Sequence, residues 1–256
     1  QDESWVVLNP GTTISIWCMY DGWAVVNYMR SYGYINLDQL TDLTPVSPTD
    51  NPLREDTPIA AYTSYYKMVD TEKNHNRIFN IARGSELISG IYQPGDIFDG
   101  NKIMGPYNKG KGYLPAGALS DGTTTTSYGG GTCQVSSTLY YAVLLSDLDI
   151  VLRYCHMFNP GYMPIGCDAT VSWGGPDFAF RNSRDYPIKI VTSYNDDTNE
   201  LTCTIMGTKV DDHYVVMTNA VLASYDYQTV YQESPDVAPG EEVIDQYGHT
   251  GYHVRT

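Results

Sequence analysis

Hydrophobic and polar positions alternate along the chain in two different periods. Over residues 74–88, Ile78, Ile81, Ala82 and Leu87 recur at helical spacing, and over residues 135–145, Val135, Leu139, Ala142 and Val143 fall on one face, which predicts two helices. The runs 169–173, 178–180, 188–191 and 201–205 instead alternate every second residue, as half-buried strands do. Ahead of them, 5–8, 13–16, 23–26 and 33–35 are short apolar runs separated by Asn9-Pro10-Gly11 and Asp21-Gly22, the pattern of a small β-barrel. Residues 44–58 carry four prolines and no apolar period, as an exposed linker does. The expected organisation is a β-barrel over 1–45, a linker over 46–58, a mixed, strand-rich α+β domain over 59–207 and a β-rich extension over 208–256.

Composition narrows the function classes. A chain of 256 residues with 42% hydrophobic side chains buries a real core. Its net charge of -15, with no cluster of Lys and Arg, argues against nucleic acid as a partner, because phosphate binding replaces counterions with clustered cations. No apolar run is long enough to span a bilayer, and no charged-then-apolar leader stands at Gln1, so the chain reads as a soluble mature or trimmed segment. The 23 Tyr against 5 Phe suggest many half-wet aromatic surfaces. Cys18, Cys133, Cys155, Cys167 and Cys203 lie far apart with no metal-binding spacing, so neither a disulfide scaffold, a metal nor another cofactor is indicated; Cys155 and Cys167 flank a stretch able to bring them together.

The most informative segment is Gly129-Gly130-Gly131-Thr132-Cys133-Gln134-Val135-Ser136-Ser137-Thr138. Glycines let backbone approach a ligand closely, and the first turn of the following helix leaves N–H groups that favour an anion. A thiol placed there has its thiolate stabilised, and the same N–H groups, from Gly131 to Gln134, suit the oxyanion of an acyl transfer. A glycine-rich turn into a helix is also an ordinary fold device. Among the five histidines, His156 follows a strand-like run and precedes a Pro/Gly loop, from which an imidazole reaches a neighbouring helix terminus as a base. Asp168 is placed to orient His156, and it reads equally well as a turn or cap carboxylate.

This segment closely resembles the signature of the VanW domain. The rest of that pattern follows in register: Arg77 with Asn80-Ile81-Ala82, Gly90, Pro94-Gly95-Asp96-Ile97-Phe98, Asn101, Gly112-Tyr113 with Ala116, His156, Pro160 with Tyr162, Pro164, Gly166, Asp168-Ala169-Thr170-Val171, Asp177-Phe178, and Pro187-Ile188. Asp99-Gly100 and Cys155 depart from it. Around Asp21-Gly22-Trp23 and Gly33-Tyr34-Ile35 the N-terminus resembles part of a bacterial SH3-like wall-binding module, and residues 238–252 resemble part of an adhesion-type repeat. The VanW resemblance implies a peptidoglycan L,D-transpeptidase of the extracellular cell envelope. In that reading Cys133 is the nucleophile, His156 the base and Asp168 its orienter, while Gly129, Gly130, Gly131, Gln134, Ser136 and Ser137 meet the substrate. The partners it implies are a donor tetrapeptide stem and an acceptor amine. Two alternatives stand beside it: a cysteine peptidase or carboxypeptidase that hydrolyses stems, and a non-catalytic wall binder with Cys133 buried and inert.

Overall fold

A computed structural model describes residues 6–29, 31–43, 57–67, 69–120, 123–157, 159–208, 213–245 and 247–256. Strand β1 (Ser15–Tyr20), β2 (Trp23–Tyr28) and β3 (Ser31–Asn36) form an antiparallel meander. Asp21 and Gly22 both take positive φ, the conformation a two-residue hairpin turn needs. The meander is open rather than a closed barrel. Residues 6–8 join no strand, Trp5 lies outside the described residues, and the three strands lean on the main domain instead of closing on themselves. The contact is specific: Thr63 N–H donates to Ser15 Oγ (3.2 Å), Tyr65 Oη to Thr13 O (2.5 Å), and the rings of Tyr28 and Tyr65 lie 4.6 Å apart.

Most of the expected linker falls outside the described residues, and its last two residues already belong to strand β4 (Thr57–Tyr65). Helix α1 (Glu72–Ile88) follows, its first turn capped by Thr71 Oγ1 accepting from Asn74 N–H. Next come β5 (Gly90–Tyr92), β6 (Ile97–Asp99), the short helix α2 (Gly100–Met104), the hairpin β7 (Pro115–Ser120) and β8 (Thr123–Tyr128), and helix α3 (Thr132–Leu145). Then β9 (Asp149–Arg153), β10 (Phe178–Arg181), β11 (Ile188–Asn195) and β12 (Glu200–Gly207) complete two antiparallel sheets, β4-β12-β11-β5 and β6-β10-β9.

Helix α3 sits at the centre, touching β4 and β12 of one sheet, β10 of the other, and α1. Its sequence predicts one apolar face, but from Thr132 to Val143 every residue except Cys133 is buried. A helix enclosed on all sides belongs to the core rather than the surface. The core includes Phe98, Phe178 and Phe180, with Phe98 stacked on Phe180 at 5.1 Å and Tyr140 edge-on to Phe178 at 5.5 Å. Such rings each contribute about 1.5–3 kcal/mol on full burial.

Not every expected strand forms a ladder. The alternation over residues 169–173 predicts a strand, yet this segment pairs with no other strand. Its backbone is satisfied largely by side chains: Ser136 Oγ donates to Ala169 O (2.7 Å), Ser137 Oγ accepts from Ala169 N–H (3.0 Å), and Cys133 Sγ donates to Val171 O (3.4 Å). Beyond residue 207, the runs 214–217 and 229–231 join no ladder, and the extension reduces to β13 (Ala220–Tyr225) paired with β14 (Gly251–Arg255). This pair docks on the loop before Asp168, where Asn219 Nδ2 donates to Ile165 O (3.0 Å) and Thr256 Oγ1 to Gly166 O (3.3 Å).

Candidate active site

The hairpin β7–β8 delivers the three glycines into the interior, where Asn80 of α1 fixes them. Asn80 Nδ2 donates to Leu114 O (2.8 Å) and Gly130 O (3.0 Å), and its Oδ1 accepts from Leu114 N–H (2.8 Å). A Cβ on Gly130 would lie 2.5 Å from Gly117 O, so no larger residue fits this approach. Gly131 takes φ +112°, in the region that favours glycine, and opens α3. Cys133 is thereby the second residue of α3 and is partly exposed, while its neighbours Thr132 and Gln134 are buried.

The helix N-terminus is partly spent. Thr132 N–H donates to Gly129 O (3.0 Å) and Gln134 N–H to Gly131 O (2.9 Å). Among the described residues, the N–H groups of Gly131 and Cys133 have no backbone partner, so the four-residue anion site expected from sequence narrows to these two.

Opposite the thiol stands His156, in the loop after β9. Its Nδ1 lies 2.6 Å from Asp168 Oδ2, and its backbone N–H donates to the same oxygen at 2.7 Å. Both side chains are nearly enclosed, at 7% and 5% exposure. With Nδ1 engaged, the other ring nitrogen is the one available to the Cys133 sulfur, which stands within hydrogen-bonding reach. Burial alone pushes the imidazole pKa down, but the bonds to Asp168 and Cys133 outweigh it and carry His156 up to about 9. Burial likewise pushes Asp168 up, and its bonds to His156 and the charge of Arg153 more than reverse this, so the carboxyl titrates below its ordinary value.

Arg153, at the end of β9, was not legible as part of this arrangement. Its Nε donates to Asp168 O (2.7 Å), its Nη2 to Gly166 O (3.0 Å) and to Asp168 Oδ1 (3.3 Å), and the guanidinium lies 5.2 Å from the Tyr140 ring centroid. One side chain thus ties the Asp168 loop to the strand that leads to His156. Tyr162, whose hydroxyl end is enclosed near Cys133 and Ser137, stands edge-on to His156 at 6.3 Å. Tyr107 packs beneath Gly129 and donates to Asn101 Oδ1 at 3.0 Å. Their only signal in the sequence is their place in the family pattern, for Tyr162, or none at all, for Tyr107.

The residues expected to meet substrate divide in two. Gly129, Gly130 and Gly131 line the approach to Cys133 as buried backbone. Gln134, Ser136 and Ser137 are fully enclosed: Gln134 Nε2 donates to Ser64 Oγ (3.1 Å), and both serine hydroxyls reach Cys133 O and Ala169 O. They brace the Cys133 helix against the Asp168 segment, and their polar atoms are committed to protein partners. Cys155 is exposed, Cys167 buried, and the two are unpaired. Among the described residues, no three His, Cys, Asp or Glu side chains are grouped to hold a metal ion, and no helix is long and apolar enough to cross a membrane.

A family profile described as VanW like protein matches residues 76–206, which include every residue of this site. The chain is similar to the uncharacterized protein YoaR of Bacillus subtilis, 39% identical over 133 residues, or 52% of this chain and 43% of that protein. It is also similar to the vancomycin B-type resistance protein VanW of Enterococcus faecalis, 29% identical over 128 residues, or 48% of this chain and 46% of that protein. The chain therefore spans less than half the length of either relative. No solved structure matches it significantly.

Proposed function

The chain belongs to the VanW-like family, and from that premise we propose that it is a cysteine acyltransferase of the cell envelope, forming 3-3 cross-links between peptidoglycan stems. The observation that carries this reading is the alignment of a partly exposed thiol at a helix N-terminus with a buried imidazole held by a carboxylate. The resistance role in the name of the relative VanW supports a cell-wall setting.

In this reading His156 takes the Cys133 proton, and the thiolate adds to the carbonyl carbon of the third stem residue. A C–S bond forms, and the carbonyl electron pair moves to oxygen, which the free N–H groups of Gly131 and Cys133 receive. As the carbonyl re-forms, the C–N bond breaks and His156 returns its proton to the departing D-Ala amine. An acceptor amine then attacks the thioester carbonyl and forms a C–N bond while His156 takes its proton, and as the C–S bond breaks that proton returns to the departing Cys133 sulfur. An imidazole pKa near 9 suits the acid half of each step, because a ring that has taken the Cys133 proton holds it at neutral pH until the departing group claims it. Asp168 stabilises that imidazolium and fixes the ring, and Arg153 fixes Asp168.

Intact mass after incubation with disaccharide-tetrapeptide tests the proposal. The expected result is an acyl adduct on Cys133 that resolves to a cross-linked dimer when an acceptor stem is added, with neither product from a folded Cys133→Ala variant. Cross-linking by that variant would sink the reading, whereas an adduct that only decays to free tripeptide would replace transfer by hydrolysis.

A further inference from the structure

Arg77 lies against the nucleophile's loop from α1. A Cβ on Gly131 would stand 2.9 Å from the Arg77 carbonyl oxygen and 3.1 Å from its Cγ, so the two segments are in direct contact. Its Nη2 donates to Gln134 Oε1 at 3.2 Å, and its guanidinium carbon is 5.9 Å from the Tyr162 ring centroid. Arg77 thus touches the residue two places before Cys133 and the residue just after it. Among the described residues no carboxylate pairs with it, although the chain carries 30 acidic against 15 basic side chains. The other arginine of the site, Arg153, is engaged by Asp168.

A guanidinium offers five N–H donors in a fork matched to carboxylate, and here the described structure places one on a neutral amide oxygen. Tyr162, beneath the guanidinium, cannot neutralise it, because burial and the neighbouring Cys133 sulfur push its hydroxyl pKa well above the ordinary value. In so acidic a chain, a half-buried cation beside the reactive thiol and without an acidic partner is suited to an anion from outside.

Resting on the acyl-transfer reading of Cys133, we propose that Arg77 reads the C-terminal carboxylate of the donor stem, one residue beyond the carbonyl that is attacked. The site then selects stems with a single residue past the reacting carbonyl. A stem longer by one residue moves its carboxylate about 3.5 Å further along the chain and puts a neutral amide in its place.

The test compares two donors, the disaccharide-tetrapeptide with a free terminal carboxylate and the same compound as its terminal amide, by the rate at which the Cys133 adduct forms. The protein should prefer the free acid by about 10- to 100-fold, the range of a charge-assisted bidentate pair. Arg77→Gln should slow the acid alone and bring the preference close to 1, and Arg77→Lys should keep part of it. A variant that slows both donors equally, leaving the preference intact, would show that Arg77 only props the loop and would overturn the assignment. Absence of any preference in the unsubstituted protein would do the same. If the unsubstituted protein forms no adduct with either donor, the acyl-transfer reading fails first and this one with it. If Arg77→Gln does not fold, the preference of Arg77→Lys decides: an undiminished preference overturns the assignment, and a reduced one at retained amide rate supports it.

Discussion

Replacing Asp168 by Asn removes one negative charge and almost no volume from the most enclosed part of the site. The carboxylate receives the His156 backbone N–H at 2.7 Å, the His156 ring at 2.6 Å and Arg153 Nη2 at 3.3 Å, with the residue only 3% exposed. Removing one partner of a buried charged network typically costs about 3–5 kcal/mol; because the amide keeps one acceptor oxygen, about 3 kcal/mol is expected. The rise of His156 from 6.5 to about 9, to which Asp168 and Cys133 both contribute against burial, corresponds to roughly 3 kcal/mol of preference for the imidazolium in the folded state, the same order of energy. In a domain of this size that loss should lower Tm by about 6–12 °C, measured calorimetrically at neutral pH. The pH dependence gives a sharper check. His156 is raised, so its contribution is complete below pH 6.5 and fades as pH rises through about 9. Asp168 is lowered, so its contribution is present above its ordinary 3.8 and fades as pH falls through its depressed value. The gap between the two proteins should therefore be widest from about pH 4 to 6.5 and close on both sides. In the variant, the His156 ring signal followed by NMR should titrate at lower pH. An Asp168→Asn protein with unchanged Tm and an unmoved His156 titration would refute the idea that this carboxylate holds the imidazole charged.

Two further outcomes follow from the packing. Gly131→Ala forces a side chain into a left-handed backbone conformation at φ +112° and against the Arg77 carbonyl. It should cost about 1–3 kcal/mol and slow alkylation of Cys133, whereas an unchanged melting curve would mean that the loop relaxes freely. In the native protein, iodoacetamide near neutral pH should modify Cys133 and exposed Cys155 and spare Cys167 and Cys203, whose thiols burial pushes up, that of Cys167 to about 12. Peptide mapping that finds Cys203 modified as fast as Cys155 would contradict the enclosed core.

The two long helices were legible in the sequence because their apolar spacing survives in the fold, and α1 spans Glu72–Ile88 against the expected 74–88. The character of α3 was hidden, because Ser136, Ser137 and Gln134 look like solvent-facing positions until a second segment is known to supply their partners. The same pairing explains why residues 169–173, despite alternating like a strand, form none: helix α3 itself satisfies much of their backbone. That His156 and Asp168 meet was an expectation from resemblance and loop position, and the structure brings the two side chains together at 2.6 Å. Arg153 could not be recognised, since an arginine at the end of a strand-like run reads as part of a solvated face. At the N-terminus the turn at Asp21-Gly22 was local and readable, while closure into a barrel depends on long-range pairing that local patterns do not encode.

Strand β4 lies wholly before residue 76, where the family match begins, yet it is hydrogen-bonded along β12 from Thr57 to Tyr65. Its Ser64 also receives Gln134 from α3, and its Tyr62 stacks on Tyr141 at 4.0 Å. A fragment cut to the matched residues would leave the remainder of β12, residues 200–206, as a bare sheet edge flanked by uncovered aromatic surface, a template for strand addition between molecules. Such a piece should self-associate and lose the brace on the Cys133 helix at the same time. The smallest unit able to hold this thiol in register thus starts upstream of the matched stretch, and an assay on the shorter fragment would report aggregation in place of chemistry.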